Sequence, residues 1–166
     1  MAPDLSIVII GVGNDFRSDD GCGPAVARRL AALRLPGIRV IDHIGDGTDL
    51  INAWLDAEVA FVIDCMRSGS DVGTIRRFDA LNGDIPEDIL AGWSTHAFSI
   101  TDTIRLARKV GRLPKQLIVY GIEGGLFFVG SELSSPVAKS IPIVAEKILA
   151  EIMEIRNYIA ARGLGN

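Results

Sequence analysis

Several chemistries are excluded by what this chain lacks. It has two cysteines, Cys22 and Cys65, and two histidines, His43 and His96. Two cysteines in 166 residues do not make the disulfide framework of a secreted scaffold. There is no His-Glu-x-x-His helix, Gly-x-Ser-x-Gly elbow, Walker A lysine or Cys-x-x-Cys pair, so the enzymes built on those motifs fall away. No apolar run approaches the ~18–20 residues of a membrane span. The apolar stretch Leu5–Ile10 follows Met1-Ala2-Pro3-Asp4, which has no basic n-region, and it is too short for a signal peptide. Basic residues are scattered: Lys+Arg 17 against Asp+Glu 21 gives a net charge of −4, which argues against nucleic acid. A cytoplasmic protein that binds neither membrane nor nucleic acid is expected.

What is present suits a soluble globular protein. Hydrophobic residues make up 48% and charged residues 23% of the chain. The length fits one domain over residues 1–166. A domain of this size buries roughly 70% of its chain surface and needs no disulfide or metal to hold its fold.

Apolar runs alternate with helical patterns. Residues 5–11 read as a buried strand, and Pro24 opens a helix to about Leu35. Ile38–Ile41 is a second strand, followed by a helix from about Asp49 to Leu55. Val59–Ile63 is apolar throughout, as a central strand covered on both faces should be. Residues 73–79 form a more polar strand, too close behind the third for a parallel crossover of roughly a dozen residues. An antiparallel edge strand is expected there. Residues 80–97 read as irregular, with a helical turn near 87–91. Ser99 and Asp102 resemble a capping box for a helix to Val110. Gln116–Gly121 is a fifth strand, and a helical region opens at Ser135-Pro136. Pro142 is expected to interrupt or kink it, leaving a long amphipathic helix over 143–161. This order implies an α/β fold, a three-layer sandwich whose site lies outside the carboxyl ends of the strands.

Three segments there carry polar groups. One is the loop Gly11–Gly23, with four glycines besides paired aspartates. The second is Asp64-Cys65 after the central strand, and the third carries His96 ahead of a helix. If Asp20, Asp64 and His96 converge, two carboxylates and an imidazole make a divalent metal site with open positions. Each has a plainer reading: a tight turn, a carboxylate accepting backbone N–H bonds, a structural histidine. His43 after Asp42 reads as the end of the second strand, and the cysteines as small buried side chains beside the proposed ligands. A dinucleotide site fits poorly. Phe16 stands where a third glycine belongs, the helix starts late, and Asp19 and Asp20 would repel phosphate.

These motifs together resemble the NiFe-hydrogenase maturation protease family over about residues 5–155. The signature reads Gly11-Val12-Gly13-Asn14, then Ser18-Asp19-Asp20-Gly21-Cys22-Gly23-Pro24. Val62-Ile63-Asp64, Ser94-Thr95-His96, Tyr120-Gly121-Ile122-Glu123 and Gly130–Val137 follow in the family's order. The resemblance implies a hydrolase-like three-layer α/β/α sandwich with a mixed five-stranded sheet and one antiparallel strand. It implies a metal-dependent endopeptidase that removes a C-terminal peptide from the nickel-loaded hydrogenase large-subunit precursor. It places the metal-contacting and catalytic roles on Asp20, Asp64 and His96, with nickel presented by the substrate and the enzyme acting as a monomer. Asp64 or Asp19 would handle a proton, while Asn14 and the Gly11–Gly13 amides would support the loop or an oxyanion. Asp20 replaces a longer Glu of some relatives. Glu123-Gly124 stands where many carry Gln-Pro, in a region implied to shape substrate recognition and close enough to perturb the metal. The other class consistent with these ligands is a non-hydrolytic nickel-binding assembly factor.

Overall fold

Strand alternation sorts the apolar residues of this chain into two separate layers. In β1 (Ile7–Gly11), Ile7 and Ile9 pack on one side of the sheet and Val8 and Ile10 on the other. In β3 (Val59–Met66), Phe61 and Ile63 share the first side, and Ala60, Val62 and Met66 the second. A strand apolar on both faces needs helices on both. The computed structural model, which describes residues 5–42, 47–83, 85–86, 99–130 and 132–163, supplies them.

The first face is covered by α1 (Cys22–Ala31) and α4 (Ser135–Gly163), through Val26, Leu30, Val144 and Ile148. The second is covered by α2 (Gly47–Trp54) and α3 (Ile100–Lys109), through Leu50, Trp54 and Ile104. With β2 (Ile38–Asp42), β4 (Ile75–Asp79) and β5 (Gln116–Glu123), the sheet runs β2-β1-β3-β5-β4. All pairings are parallel except β4 with β5, so the expected antiparallel edge strand and three-layer sandwich are both found.

Local signals explain most boundaries, and several differ from expectation, among them the end of β5, which runs on to Glu123. The Ser99 hydroxyl accepts the Asp102 N–H at 3.1 Å, and the Asp102 carboxylate accepts the Ser99 N–H, closing the capping box. α1 begins at Cys22 rather than Pro24, because it continues directly from a 3-10 turn at Ser18–Gly21. Pro24 then sits third in the helix, where its missing N–H costs no intrahelical bond. The helix also stops earlier, at Ala31, and Arg34 takes a left-handed φ of 47° in the turn beyond. β3 runs on to Met66, so Asp64 belongs to the strand rather than following it.

Pro142 does not interrupt α4, which is continuous across it. A mid-helix proline costs about 3 kcal/mol. Burial of Val137, Ile141, Val144, Ala145 and Ile148 against the sheet outweighs that penalty at ~25 cal/mol per Å² of apolar surface. Of the stretch 80–97 expected to be irregular, residues 84 and 87–97, with the expected helical turn near 87–91, lie outside the described residues, as does His43.

Candidate active site

The carboxyl ends of β1 and β3 are held together by backbone contacts that only glycine permits. The Val12 N–H donates to the Ile63 carbonyl at 2.8 Å, joining the two strand ends. A Cβ on Gly23 would overlap the carbonyl oxygens of both Val12 and Ile63. α1 therefore starts directly against the ends of β1 and β3. At Gly13 the backbone takes a φ of 139°, and a Cβ there would overlap the Asp20 carbonyl. The glycines thus serve close approach of chain to chain, which folds the loop back over the strand ends.

This packing puts Asp20 beside Asp64. Asp20 is 8% exposed and its Oδ2 accepts the Asn14 N–H at 3.2 Å. Asp64 is the one position of β3 that is not fully covered. Its Oδ1 accepts the Cys65 N–H at 2.7 Å. Burial pushes the Asp64 carboxyl up to about 8, the nearby Asp20 charge pushes the same way, and the Cys65 N–H opposes them. Burial is thus the main reason that the Asp64 carboxyl stays neutral, and the Asp20 charge adds to it.

The neighbouring acid has a different task. Asp19 is fully buried. Its Oδ2 accepts the N–H groups of Gly125 and Leu126 and the Ser134 hydroxyl, each at 2.9 Å, and its Oδ1 accepts the Ser134 N–H at 2.7 Å. Four donors on one carboxylate make Asp19 a clamp between the first loop and the segment after β5. Nothing in the sequence pairs residue 19 with residues 125–134, so spacing could not reveal this role. Ser18 shares in it, at a left-handed φ of 50°, with its N–H on the Gly130 carbonyl at 2.7 Å.

Other residues noted in the sequence are placed as follows. Asn14 supports the loop, with its side-chain oxygen accepting the Phe16 N–H at 2.9 Å. Glu123 is 2% exposed and caps the turn after β3: it accepts from the Ser68 N–H and hydroxyl and from the Gly69 N–H, at 2.8–3.0 Å. Its carboxylate is directed to that turn. Cys22 and Cys65 are buried in the layer under α1 and α4, opposite the face that Asp64 shares with Val62 and Met66. The Cys22 thiol and burial push the Cys65 thiol strongly upward, which keeps it neutral and a poor ligand. Asp42 ends β2 as expected, but it shares Arg28 with Asp15, at 3.4 Å and 2.7 Å, on the surface.

His96 lies outside the described residues. The helix that follows it does have a clear direction. The Trp54 indole N–H donates to the Arg112 carbonyl at 2.9 Å, so α3 ends beside the end of α2. Both ends therefore lie toward the start of β3, and the first turn of α3 points to the carboxyl edge of the sheet. Among the described residues no group of three or more His, Cys, Asp or Glu could hold a metal ion. The hollow of about 460 Å³ lined by Leu5, Glu58, Lys115 and Tyr158 lies at the opposite, amino end of the strands.

The fold and site define the class as a three-layer α/β sandwich protein with paired acids at the carboxyl edge of its central strands, where sites of such sheets lie. The comparisons narrow it. The family model described as hydrogenase maturation protease matches residues 24–151, and the chain belongs to that family. It is 25% identical to the hydrogenase expression/formation protein HupD of Thiocapsa roseopersicina, over 99% of this chain and 72% of that one. It is 27% identical to HoxM of Azotobacter vinelandii, over 94% of this chain and 76% of that protein. Its fold matches the hydrogenase maturating endopeptidase HybD from E. coli, with a TM-score of 0.71 and 19% identity, covering 90% and 93% of the two chains. HycI from Thermococcus kodakarensis superposes with a TM-score of 0.66 at 23% identity, again over 90% and 93%. Among the described residues, no helix is long and apolar enough to cross a membrane.

Proposed function

We propose that this family member is the endopeptidase that removes the C-terminal extension of a nickel-loaded NiFe-hydrogenase large-subunit precursor. The observation that supports this most is that a loop folded by glycines brings Asp20 to Asp64 at the carboxyl edge of the sheet. On this reading Asp20 and Asp64, joined by His96, engage the nickel that the precursor carries. The metal then polarises the scissile carbonyl or activates a water.

Of the two carboxylates considered for the proton, Asp64 is the better placed. Asp19 has both oxygens committed to the clamp, whereas Asp64 holds its proton to about 8 and keeps one side open. A cation brought by the precursor relieves the repulsion between Asp20 and Asp64 and displaces that proton. A precursor without nickel leaves Asp64 protonated, so cleavage waits for the metal. No serine or cysteine nucleophile is required.

The test uses His96→Ala and Asp64→Asn beside the native protein. Both variants should keep the native circular dichroism spectrum and lose nickel-dependent processing of the precursor. Full processing by either would sink the assignment of that residue. Binding of the precursor with no change in its mass would make the chain a nickel-binding assembly factor instead.

A further inference from the structure

Four large apolar side chains stand in solvent at the rim of this site. Phe16 is 74% exposed, Phe128 72%, Val129 96% and Leu126 42%. Phe16 comes from the loop after β1, and the others from the segment after β5. The two loops are zipped together: the Gly130 N–H donates to the Phe16 carbonyl at 2.9 Å, and the Asp19 N–H to the Leu126 carbonyl at 3.0 Å. The Ser18 hydroxyl adds a bond to the Phe128 carbonyl at 3.2 Å. The Asp19 clamp fixes the base of the same segment. Phe127, between Leu126 and Phe128, is better covered and lies under the Arg67 guanidinium at 5.3 Å. The backbone that carries the exposed residues is thus pinned to the first loop.

Exposure of this kind marks a binding surface when it is contiguous. Here it also adjoins the proposed site along the chain, since Phe16 stands four residues before Asp20 in the same loop. The exposed apolar area is on the order of 500 Å² for side chains of this size. That is below the ~800 Å² per partner of an ordinary protein interface, and it suits a peptide segment. The net charge of −4 disfavours an anionic lipid surface.

We propose that Phe16, Leu126, Phe128 and Val129 form a ledge that seats an apolar segment of the precursor beside the bond to be cut, and so select the substrate. This rests on the endopeptidase reading above. The partner segment carries bulky aliphatic or aromatic side chains.

The experiment compares the native protein, Phe16→Ser, the double variant Phe128→Ser/Val129→Ser, and Phe128→Leu, after matching their urea midpoints. Processing of nickel-loaded precursor is followed at varied precursor concentration. Each serine variant should raise KM by roughly 10-fold or more, the worth of one buried large side chain. The change should fall on KM rather than kcat, and Phe128→Leu should stay within roughly 3-fold of native. Titration of the same precursor against each protein reads binding without requiring cleavage. Native cleavage with unchanged KM in the serine variants overturns the ledge and leaves the endopeptidase standing. Absence of native cleavage removes the endopeptidase reading, and the titration still decides the ledge: weaker binding by the serine variants supports it, and unchanged binding overturns it. Self-association of the native protein that the serine variants abolish would assign the ledge to a second copy, which also overturns the proposal.

Discussion

Replacing Asp64 by Asn should stabilise this protein while disabling it, and the gain should grow with pH. Burial, followed by the charge of Asp20, raises the Asp64 carboxyl from its ordinary 3.8 to about 8. The folded chain then keeps a proton that the unfolded chain releases above pH ~4. Stability therefore falls as pH rises from ~4 towards ~8 and levels off beyond. One pKa unit is worth ~1.4 kcal/mol, so the full cost approaches ~5 kcal/mol. Asp64 keeps partial exposure in an otherwise buried strand, and solvent on that side reduces the cost. We expect Asp64→Asn to gain about 2–3 kcal/mol on the native protein between pH 5 and pH 8. Asn retains an oxygen for the Cys65 N–H, so the local backbone bond survives. The assay is urea unfolding of both proteins at the two pH values. In thermal melts the same gain corresponds to a shift of about 5–10 °C for a chain of this length. A difference between the proteins that is equal at both pH values would refute the reasoning, because it would place the carboxyl outside this titration.

Three further outcomes follow from the geometry. Asp19→Ala strands the amides of Gly125, Leu126 and Ser134 and should cost at least ~3 kcal/mol in urea unfolding, with faster hydrogen exchange at those amides. Gly13→Ala meets both a φ of 139° and the Asp20 carbonyl, and should cost ~2 kcal/mol or more in a thermal melt. Tyr120→Phe removes a hydroxyl that donates to Glu151 at 2.5 Å, beside the forked Arg77–Glu151 pair at 2.7 and 2.8 Å, and should cost ~1–2 kcal/mol. Arg77 and Tyr120 hold the Glu151 carboxyl below its ordinary value, so that contribution is present above pH ~4.5 and fades on acidification below it.

The parts of this fold that local chemistry controls could be read directly. The unbroken apolar run of β3, the short interval before β4 and the Ser99–Asp102 capping box each act within a few residues. The site was legible only in part. Asp20 stands out as an acid in a glycine-rich loop and Asp64 as a charge in an otherwise apolar strand, but the difference between Asp19 and Asp20 does not. Adjacent and chemically identical, they diverge because Asp19 meets donors more than 100 residues away. Glu123 likewise looked like a charge beside the metal, and its three donors come from the turn at Ser68 and Gly69. Pro142 carried a local signal for a break, and packing against the sheet overrode it. Tertiary partners decided each of these cases.

The most direct test of the central claim is the intact mass of the large-subunit precursor before and after mixing with this protein, with and without nickel loaded. The account predicts loss of one defined C-terminal fragment, only from the nickel-loaded form, and no loss with His96→Ala. An unchanged mass for a folded, nickel-loaded precursor that binds the protein would contradict it, as would equal cleavage of the metal-free form.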